Sequence, residues 1–253
     1  MVNFVGAGSG AADLITVRGM RLLEQADVII YAGSLVNPEL LQYAKKECAV
    51  YNSARMTLDE VLDVMRKAEK EHLMTVRLHT GDPSVYGAIR EQMDELDQIG
   101  ADYDVTPGVS ACFGAAASLN LEYTLPDLSQ SLIITRMEGR TPVPEKESIE
   151  SFAGHGASMA IYLSSGMLGE LANRLVKGGY QKETPAALVY KATWPNEEEA
   201  YVCTIETLEE TAKAHHITKT AIVLVGDAIA QSGYARSKLY DPTFTTEFRK
   251  ASK

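Results

Sequence analysis

Five segments of this 253-residue chain carry residue types that chemistry uses. The first, Gly6-Ala7-Gly8-Ser9-Gly10-Ala11, follows an apolar run, Val2–Val5. Gly6, Gly8 and Ala11 fit the G-x-G-x-x-G/A spacing that brings backbone close to a dinucleotide pyrophosphate. That chemistry also needs an acidic residue at the end of the second strand to hold the ribose. Here the second strand ends Tyr31-Ala32-Gly33-Ser34, with no acid, and the helical pattern starts only near Thr16. Two readings remain: a tight turn without a ligand, or a glycine-lined wall of a substrate or cofactor site.

The second segment is His79-Thr80-Gly81-Asp82-Pro83-Ser84-Val85-Tyr86-Gly87, at the carboxyl end of a strand. In open parallel sheets ligands bind at that end. Asp82 can accept hydrogen bonds there, including from a cationic amine, or it can cap a helix that has Pro83 at its first position. The third, Pro107-Gly108-Val109-Ser110-Ala111, leads into Gly114-Ala115-Ala116-Ala117. It suits close helix packing or a backbone-lined slot for an adenosine-like group. In the fourth, Arg136 and Arg140 flank Gly139 in a long loop, which is either solvated or built for carboxylate capture. The fifth, Tyr190-Lys191-Ala192-Thr193-Trp194-Pro195-Asn196-Glu197, places the single tryptophan in a turn, as a core-edge residue or an aromatic wall.

Other chemistries find no support. No H-E-x-x-H and no Ser/His/Asp order stands out, so no metal site is expected and no catalytic residue is identified. His215-His216 reads as a pair complementing a helix C-terminus. Cys48, Cys112 and Cys203 are scattered and odd in number, which suits buried free thiols in a reducing compartment. Acidic residues outnumber basic ones, 34 to 24, for a net charge of −10, and no basic run offsets that field. This argues against a nucleic-acid partner. No apolar run approaches the ~20 residues of a membrane span, and no signal peptide is visible. The expectation is a soluble cytoplasmic protein.

The elements that must position these segments alternate. Strands are predicted at Val2–Val5, Val28–Tyr31, Ala49–Tyr51, Thr75–Leu78 and Tyr103–Val105. Helices are predicted at Thr16–Gln25, Pro38–Lys46, from Thr57, from Pro83 through Leu96, and at Val109–Ser118. Thr57 and Glu60 form a capping box ahead of Val61, Leu62, Met65 and Ala68 on one helical face. This alternation implies a mostly parallel sheet. Asn120–Gln130 breaks the pattern and reads as a linker, separating α/β domains at residues 1–119 and 130–253. In the second, strands fall at Leu132–Thr135, Ala160–Leu163, Ala187–Tyr190, Ala200–Cys203 and Ala221–Val225, with a helix at Gly166–Val176. Thr207 and Glu210 make a second capping box. The direct turn between Tyr190 and Ala200 implies an antiparallel pair and hence a mixed sheet.

The five segments, in this order over almost the whole chain, resemble the tetrapyrrole methylases, S-adenosylmethionine-dependent enzymes of sirohaem and cobalamin biosynthesis. That family carries a glycine-rich N-terminal loop, a G-D-P at the end of a central strand, and a P-G-V-S-A-like segment. Thr135–Pro144, Lys191–Glu197 and Ser237–Pro242 resemble the branch acting on C11 of a precorrin-4-type macrocycle. Gly8-Ser9-Gly10-Ala11 departs from the G-x-G-P-G-D of many relatives, so a role for that aspartate is in doubt in this branch. The resemblance implies two α/β domains with the cofactor in the cleft between them, a homodimer, and methyl transfer to C11, with cobalt-precorrin-4 favoured over the metal-free substrate. Carried over residue by residue, the implied cofactor contacts are Thr80, Gly81, Asp82, Val85, Ser110, Ala111, Leu163 (where relatives have methionine), Ala192, Thr220 and Ala221.

The implied chemistry suits a chain without an evident catalytic triad. A sulfonium brings its own leaving group and the accepting ring carbon is enamine-like, so catalysis rests on alignment, worth up to ~7–11 kcal/mol. The macrocycle bears many carboxylates and the protein is acidic, so local cations must reverse the field. Arg55, Arg136, Arg140 and Lys191 are the candidates, from their places at strand ends and in loops. The alternatives are another ring position such as uroporphyrinogen C2/C7, another substrate of the same fold such as diphthine or ribosomal RNA, and a non-enzymatic nucleotide-binding module.

Overall fold

The computed structural model describes residues 1–33 and 35–252; Ser34, read above as the end of the second strand, lies outside them. By its internal contacts the chain divides into two compact units. One comprises residues 1–115 with 191–199, the other residues 116–190 with 200–253.

The first unit holds a five-stranded sheet of β1 (Val2–Gly6), β2 (Val28–Tyr31), β3 (Ala49–Asn52), β4 (Thr75–His79) and β5 (Tyr103–Thr106). The order is β3-β2-β4-β1-β5 and every pairing is parallel. The central strands β1 and β4 are buried along their whole length, whereas β3 at the edge is largely exposed. Helices α1 (Val17–Gln25), α2 (Leu58–Lys70), α3 (Arg90–Gln98) and α4 (Ala111–Ser118) follow strands in turn. Val2, Phe4, Val28 and Ile30 pack with Val61, Leu62, Met65 and Ala68 of α2 and with Met93 and Leu96 of α3. Val5, Ile29, Val76 and Leu78 form the opposite face, with Leu23 of α1 and Leu40 of a 3-10 turn at Pro38–Tyr43.

The capping box ahead of α2 forms: the Thr57 hydroxyl accepts from the Glu60 N–H at 3.3 Å, and the Glu60 carboxylate accepts from the Thr57 N–H at 2.7 Å. The one expected at Thr207 does not. Thr207 has φ −98° and ψ 1°, not the extended backbone an N-cap needs, and its hydroxyl accepts instead from the Thr204 N–H at 3.0 Å. The helix predicted from Pro83 also differs, since α3 begins only at Arg90. Tyr86 and Ala88 sit at φ 56° and 50°, left-handed conformations that no helix accommodates.

The second unit holds β6 (Leu132–Arg136), β7 (Ser158–Tyr162), β8 (Pro185–Tyr190), β9 (Glu199–Thr204) and β10 (Ala221–Val225), in the order β6-β7-β10-β8-β9. β6 and β7 are parallel, and β10 runs antiparallel to both β7 and β8, so the sheet is mixed. Met159, Ile161, Leu188, Val223 and Val225 form its core with Leu171 and Leu175 of α6 (Leu168–Gly178) and Leu208 of α7 (Leu208–Ala214). The shorter α5 (Ile149–Ala153) adds Ile149 and Ala153. The segment read as a linker packs into this unit: Tyr123 and Leu125 are buried, and the Tyr123 carbonyl accepts from the Ser158 hydroxyl at 2.8 Å.

Thr57→Ala removes one half of a formed capping box and should lower unfolding free energy by about 1 kcal/mol in a urea titration. An unchanged midpoint would show that α2 is held by its apolar face alone.

Candidate functional site: a glycine rim and the segments around it

β1, β4 and β5 are parallel, so their carboxyl ends share one edge, with Gly6 opposite His79 and Val5 opposite Thr106 in register. The chain leaves this edge through Gly6, Gly81 and Gly108. A Cβ on Gly6 would lie 2.6 Å from the Gly108 Cα and 2.7 Å from the Gly81 carbonyl oxygen, and one on Gly108 would strike that same oxygen. Gly8 and Gly81, at φ 82° and 59°, exchange backbone hydrogen bonds of 3.3 and 2.8 Å. The strand ends approach so closely that only backbone fits between them. With α1 starting at Val17, the loop Gly6–Ala11 does not open directly into an α-helix, and the tight-turn reading accounts for Gly6 and Gly8.

Asp82 ties this edge together. One carboxylate oxygen accepts from the Ser84 N–H at 2.8 Å and the Ser84 hydroxyl at 2.5 Å; the other accepts from the Gly108 N–H at 2.9 Å. Asp82 therefore closes a turn and joins the exits of β4 and β5, and does not cap a helix. Its burial works to raise its pKa, but the bonds from Ser84 and Gly108 outweigh that and hold the carboxyl below its usual value. Thr80 donates to the Leu35 carbonyl at 3.1 Å, and Val85, half-buried, donates its N–H to the Asp82 carbonyl at 3.2 Å. Ser110 is buried, and a Cβ on Gly81 would stand 3.5 Å from its Cα and 3.6 Å from the Ala111 nitrogen. The structure thus brings Gly81, Asp82, Ser110 and Ala111 together.

Residues 191–199 belong to this unit. The Thr193 hydroxyl pairs with that of Ser9 at 2.9 Å and accepts from the Ala11 N–H at 3.2 Å. Gly10 has the buried Ala192 carbonyl and the half-buried Trp194 ring against it, closer than any Cβ would allow. Asn37, also buried, donates to the Gly10 carbonyl at 3.0 Å. Trp194 is a core-edge residue, and the Lys191 ammonium lies 5.3 Å from its ring centroid while pairing with Glu197.

In the second unit, Leu163 follows β7 and Ala221 opens β10. The antiparallel register that pairs Ile161 with Val223 and Tyr190 with Ala221 brings Leu163, Thr220 and Ala221 to one end of the sheet. Arg136, opposite Tyr162, is at that end too. Leu163 and Thr220 both have positive φ, 54° and 58°, and Leu163 is 65% exposed. Two side chains in conformations costing of order 1–3 kcal/mol each, at one rim, mark a place where the fold tolerates strain. Ser164, fully buried, secures it by accepting from the Met137 N–H at 3.0 Å and donating to the Tyr162 carbonyl at 2.7 Å.

The four candidate cations are not equivalent. Arg136 donates to the carbonyls of Met137, Thr141 and Pro142, at 3.0, 3.3 and 2.9 Å, and so folds its own loop. Lys191 is engaged as described. Arg55 and Arg140 are exposed and hold no hydrogen bond or ion pair among the described residues. Only Cys112 of the three cysteines is fully buried, and all three are free thiols. Among the described residues no group of three or more His, Cys, Asp and Glu is placed to hold a metal ion. No helix among them is long and apolar enough to cross a membrane.

Sequence reasoning missed a polar stripe along β4. Thr75, Arg77 and His79 are all buried. Burial pushes the His79 imidazole down to about 3, assisted by the neighbouring Arg77 charge, and burial pushes Arg77 down to about 10. Among the described residues the His79 Nε2 has no hydrogen-bond partner. The signal lay in Thr75-Val76-Arg77-Leu78-His79, where polar residues alternate with apolar ones in a strand buried on both faces.

The family model of the Tetrapyrrole (Corrin/Porphyrin) Methylases matches residues 1–209. A cobalt-precorrin-4 C(11)-methyltransferase of Methanocaldococcus jannaschii is 51% identical over 252 residues, covering 100% of this chain and 97% of that protein. A precorrin-4 C(11)-methyltransferase of Pseudomonas aeruginosa is 41% identical over 239 residues, with 94% of each covered. The solved structure of a cobalt precorrin-4 methyltransferase of cobalamin biosynthesis superposes with a TM-score of 0.87 at 43% identity, covering 90% of this chain and 95% of that one.

His79 sets a dependence on acid. Its folded pKa lies below the ordinary value of about 6.5, so the unfolded chain takes up the proton first. The stability it contributes is present above about 6.5 and is lost as pH falls toward about 3. Its share of the slope is at most about 1.4 kcal/mol per pH unit. His79→Gln should flatten the fall in unfolding free energy between about pH 6.5 and 5.5, before most carboxylates titrate, in urea titrations at stepped pH. A slope equal to wild type would show that the imidazole is protonated in the fold.

Proposed function

The chain belongs to the tetrapyrrole methylases, and from that premise we propose that it transfers a methyl group from S-adenosylmethionine to C11 of a precorrin-4-type macrocycle in cobalamin biosynthesis. The observation carrying the reading is the glycine rim with an ionised Asp82 fixed on it. The rim offers backbone carbonyls and N–H groups and a carboxylate, and its Gly6–Ala11 loop does not lead straight into the helix N-terminus that a dinucleotide pyrophosphate uses. Such a surface fits a neutral adenosine and a cationic sulfonium better than a dinucleotide.

S-adenosylmethionine, when bound, supplies a methyl group on a sulfur that is already a leaving group. The chain's own residues bind and align. Thr80, Gly81, Asp82, Val85, Ser110, Ala111 and Ala192 of the first unit, with Leu163, Thr220 and Ala221 of the second, are the proposed cofactor contacts. Asp82 is the electrostatic element among them, a fixed anion that favours a positive charge. Arg140 and Arg55 are the proposed carboxylate binders because their guanidiniums are unspent. Lys191 and Arg136 would have to exchange the bonds they now hold. Cobalt-precorrin-4 is the favoured substrate, in keeping with the M. jannaschii relative. Residues 1–119 and 130–253 are the two proposed domains of a cytoplasmic homodimer.

Calorimetric titration with S-adenosylhomocysteine, beside NAD, should show binding of the first and none of the second. Incubation with S-adenosylmethionine and cobalt-precorrin-4 should yield a product heavier by one methyl group, at C11. Failure to bind S-adenosylhomocysteine by the folded protein would sink the reading, and methylation elsewhere on the ring would redirect it. Asp82→Asn turns an amide N–H₂ or a neutral oxygen toward the Gly108 N–H, and should weaken S-adenosylhomocysteine binding about tenfold or more. Arg140→Ala should raise the macrocycle KM and leave S-adenosylhomocysteine affinity unchanged; equal loss of both would remove Arg140 from carboxylate binding.

A further inference from the structure

Arg77 is an unusual residue for the middle of a fully buried strand. It is 8% exposed, and its hydrogen-bond acceptors among the described residues are neutral. Its Nη1 donates to the Ile30 carbonyl at 3.2 Å and its Nε donates to the Gln92 side-chain oxygen at 3.2 Å. Burying a guanidinium against two neutral acceptors is costly, and an apolar side chain would avoid that cost. Its position in a chain of hydrogen bonds gives it a use.

Gln92, 4% exposed on α3, has an amide that could point either way. Guanidinium only donates. Arg77 therefore requires the oxygen of Gln92, which turns the Gln92 N–H₂ away from it and toward the Ala88 carbonyl, at 2.9 Å. The cation fixes the polarity of the amide, and the amide fixes Ala88. Ala88 and Tyr86 are the left-handed residues of the segment between Asp82 and α3. Gly87 is packed against the Pro83 carbonyl there, too close for any side chain. Without an external hold, a segment with two such residues would relax, since side chains disfavour that backbone conformation.

We propose that Arg77 and Gln92 are positioning residues, a buried relay that holds residues 83–89 in the one conformation in which Asp82 and Val85 meet S-adenosylmethionine. Neither touches the ligand. The inference rests on the proposed cofactor site, yet its first link, from relay to segment, stands independently of any ligand.

Gln92→Glu separates positioning from mere packing. A carboxylate satisfies Arg77 better than the amide does, so the thermal midpoint should be kept or raised. The same carboxylate offers the Ala88 carbonyl no donor, so the segment should loosen. Hydrogen exchange of the amides in 84–88 should accelerate at least tenfold, and S-adenosylhomocysteine affinity should fall about tenfold, the scale of one lost buried hydrogen bond. Gln92→Met, of similar length and without polar atoms, should reproduce both changes and serves if the acid variant does not fold. Wild-type exchange rates in 84–88 in either folded variant would overturn the relay. Accelerated exchange with unchanged affinity would overturn the link to the cofactor. A wild-type protein that binds no S-adenosylhomocysteine would instead overturn the proposed function and leave the exchange result to judge the relay.

Discussion

The constraint on which the first unit depends is the approach of three backbones at one edge of its sheet. Gly6, Gly81 and Gly108 meet so closely that a single methyl group at Gly6 or Gly108 would overlap main-chain atoms. Side chains cannot separate the strand exits, so hydrogen bonding must organise them. Gly8 and Gly81 pair with each other, and Asp82 reaches across to the Gly108 N–H. The carboxylate that braces the edge is thereby ionised and fixed, and the same bonds that satisfy the backbone create the local charge. Structural and electrostatic roles are not separable at this residue.

Behind that edge the sheet carries polarity where an apolar interior would be more stable. Thr75, Arg77 and His79 occupy one face of β4, opposite α3. The imidazole is kept neutral and the guanidinium charged, so the interior tolerates one cation and excludes a second. The stripe ends where β4 hands over to the glycines, and its bonds run outward to the turn beyond Asp82. Stability given up in the core is recovered as definition at the edge.

Much of this was legible in the sequence. The face of α2 was readable because Thr57, Glu60, Val61, Leu62, Met65 and Ala68 state the same helix through capping and through periodicity. The parallel first sheet and mixed second sheet followed from the spacing of apolar runs. The misreadings share one cause: a local signal whose donor or acceptor was claimed by something else. Thr207 resembled an N-cap but gives its hydroxyl to Thr204. Asp82-Pro83 resembled a helix start, but the carboxylate is committed to Ser84 and Gly108. The pairing of Ser9 with Thr193 could not be read at all, because nothing local signals a contact across 184 residues.

That last pairing bears on how the molecule comes into being. The segment 191–199 completes the first unit although it is made after most of the second. At about 5–20 residues per second, translation takes roughly 10–40 s to pass from Ser9 to Thr193. From the completion of β5 at Thr106 onward the sheet of the nascent first unit has every strand it needs, yet the Gly10 surface and the Ala11 amide lack the partners that Trp194 and Thr193 bring. The entropy of closing so long a loop is modest, since it grows only with the logarithm of length. The delay is instead one of order: within the first unit the wall around Gly10 forms last, and only a chain translated past Thr193 can complete it.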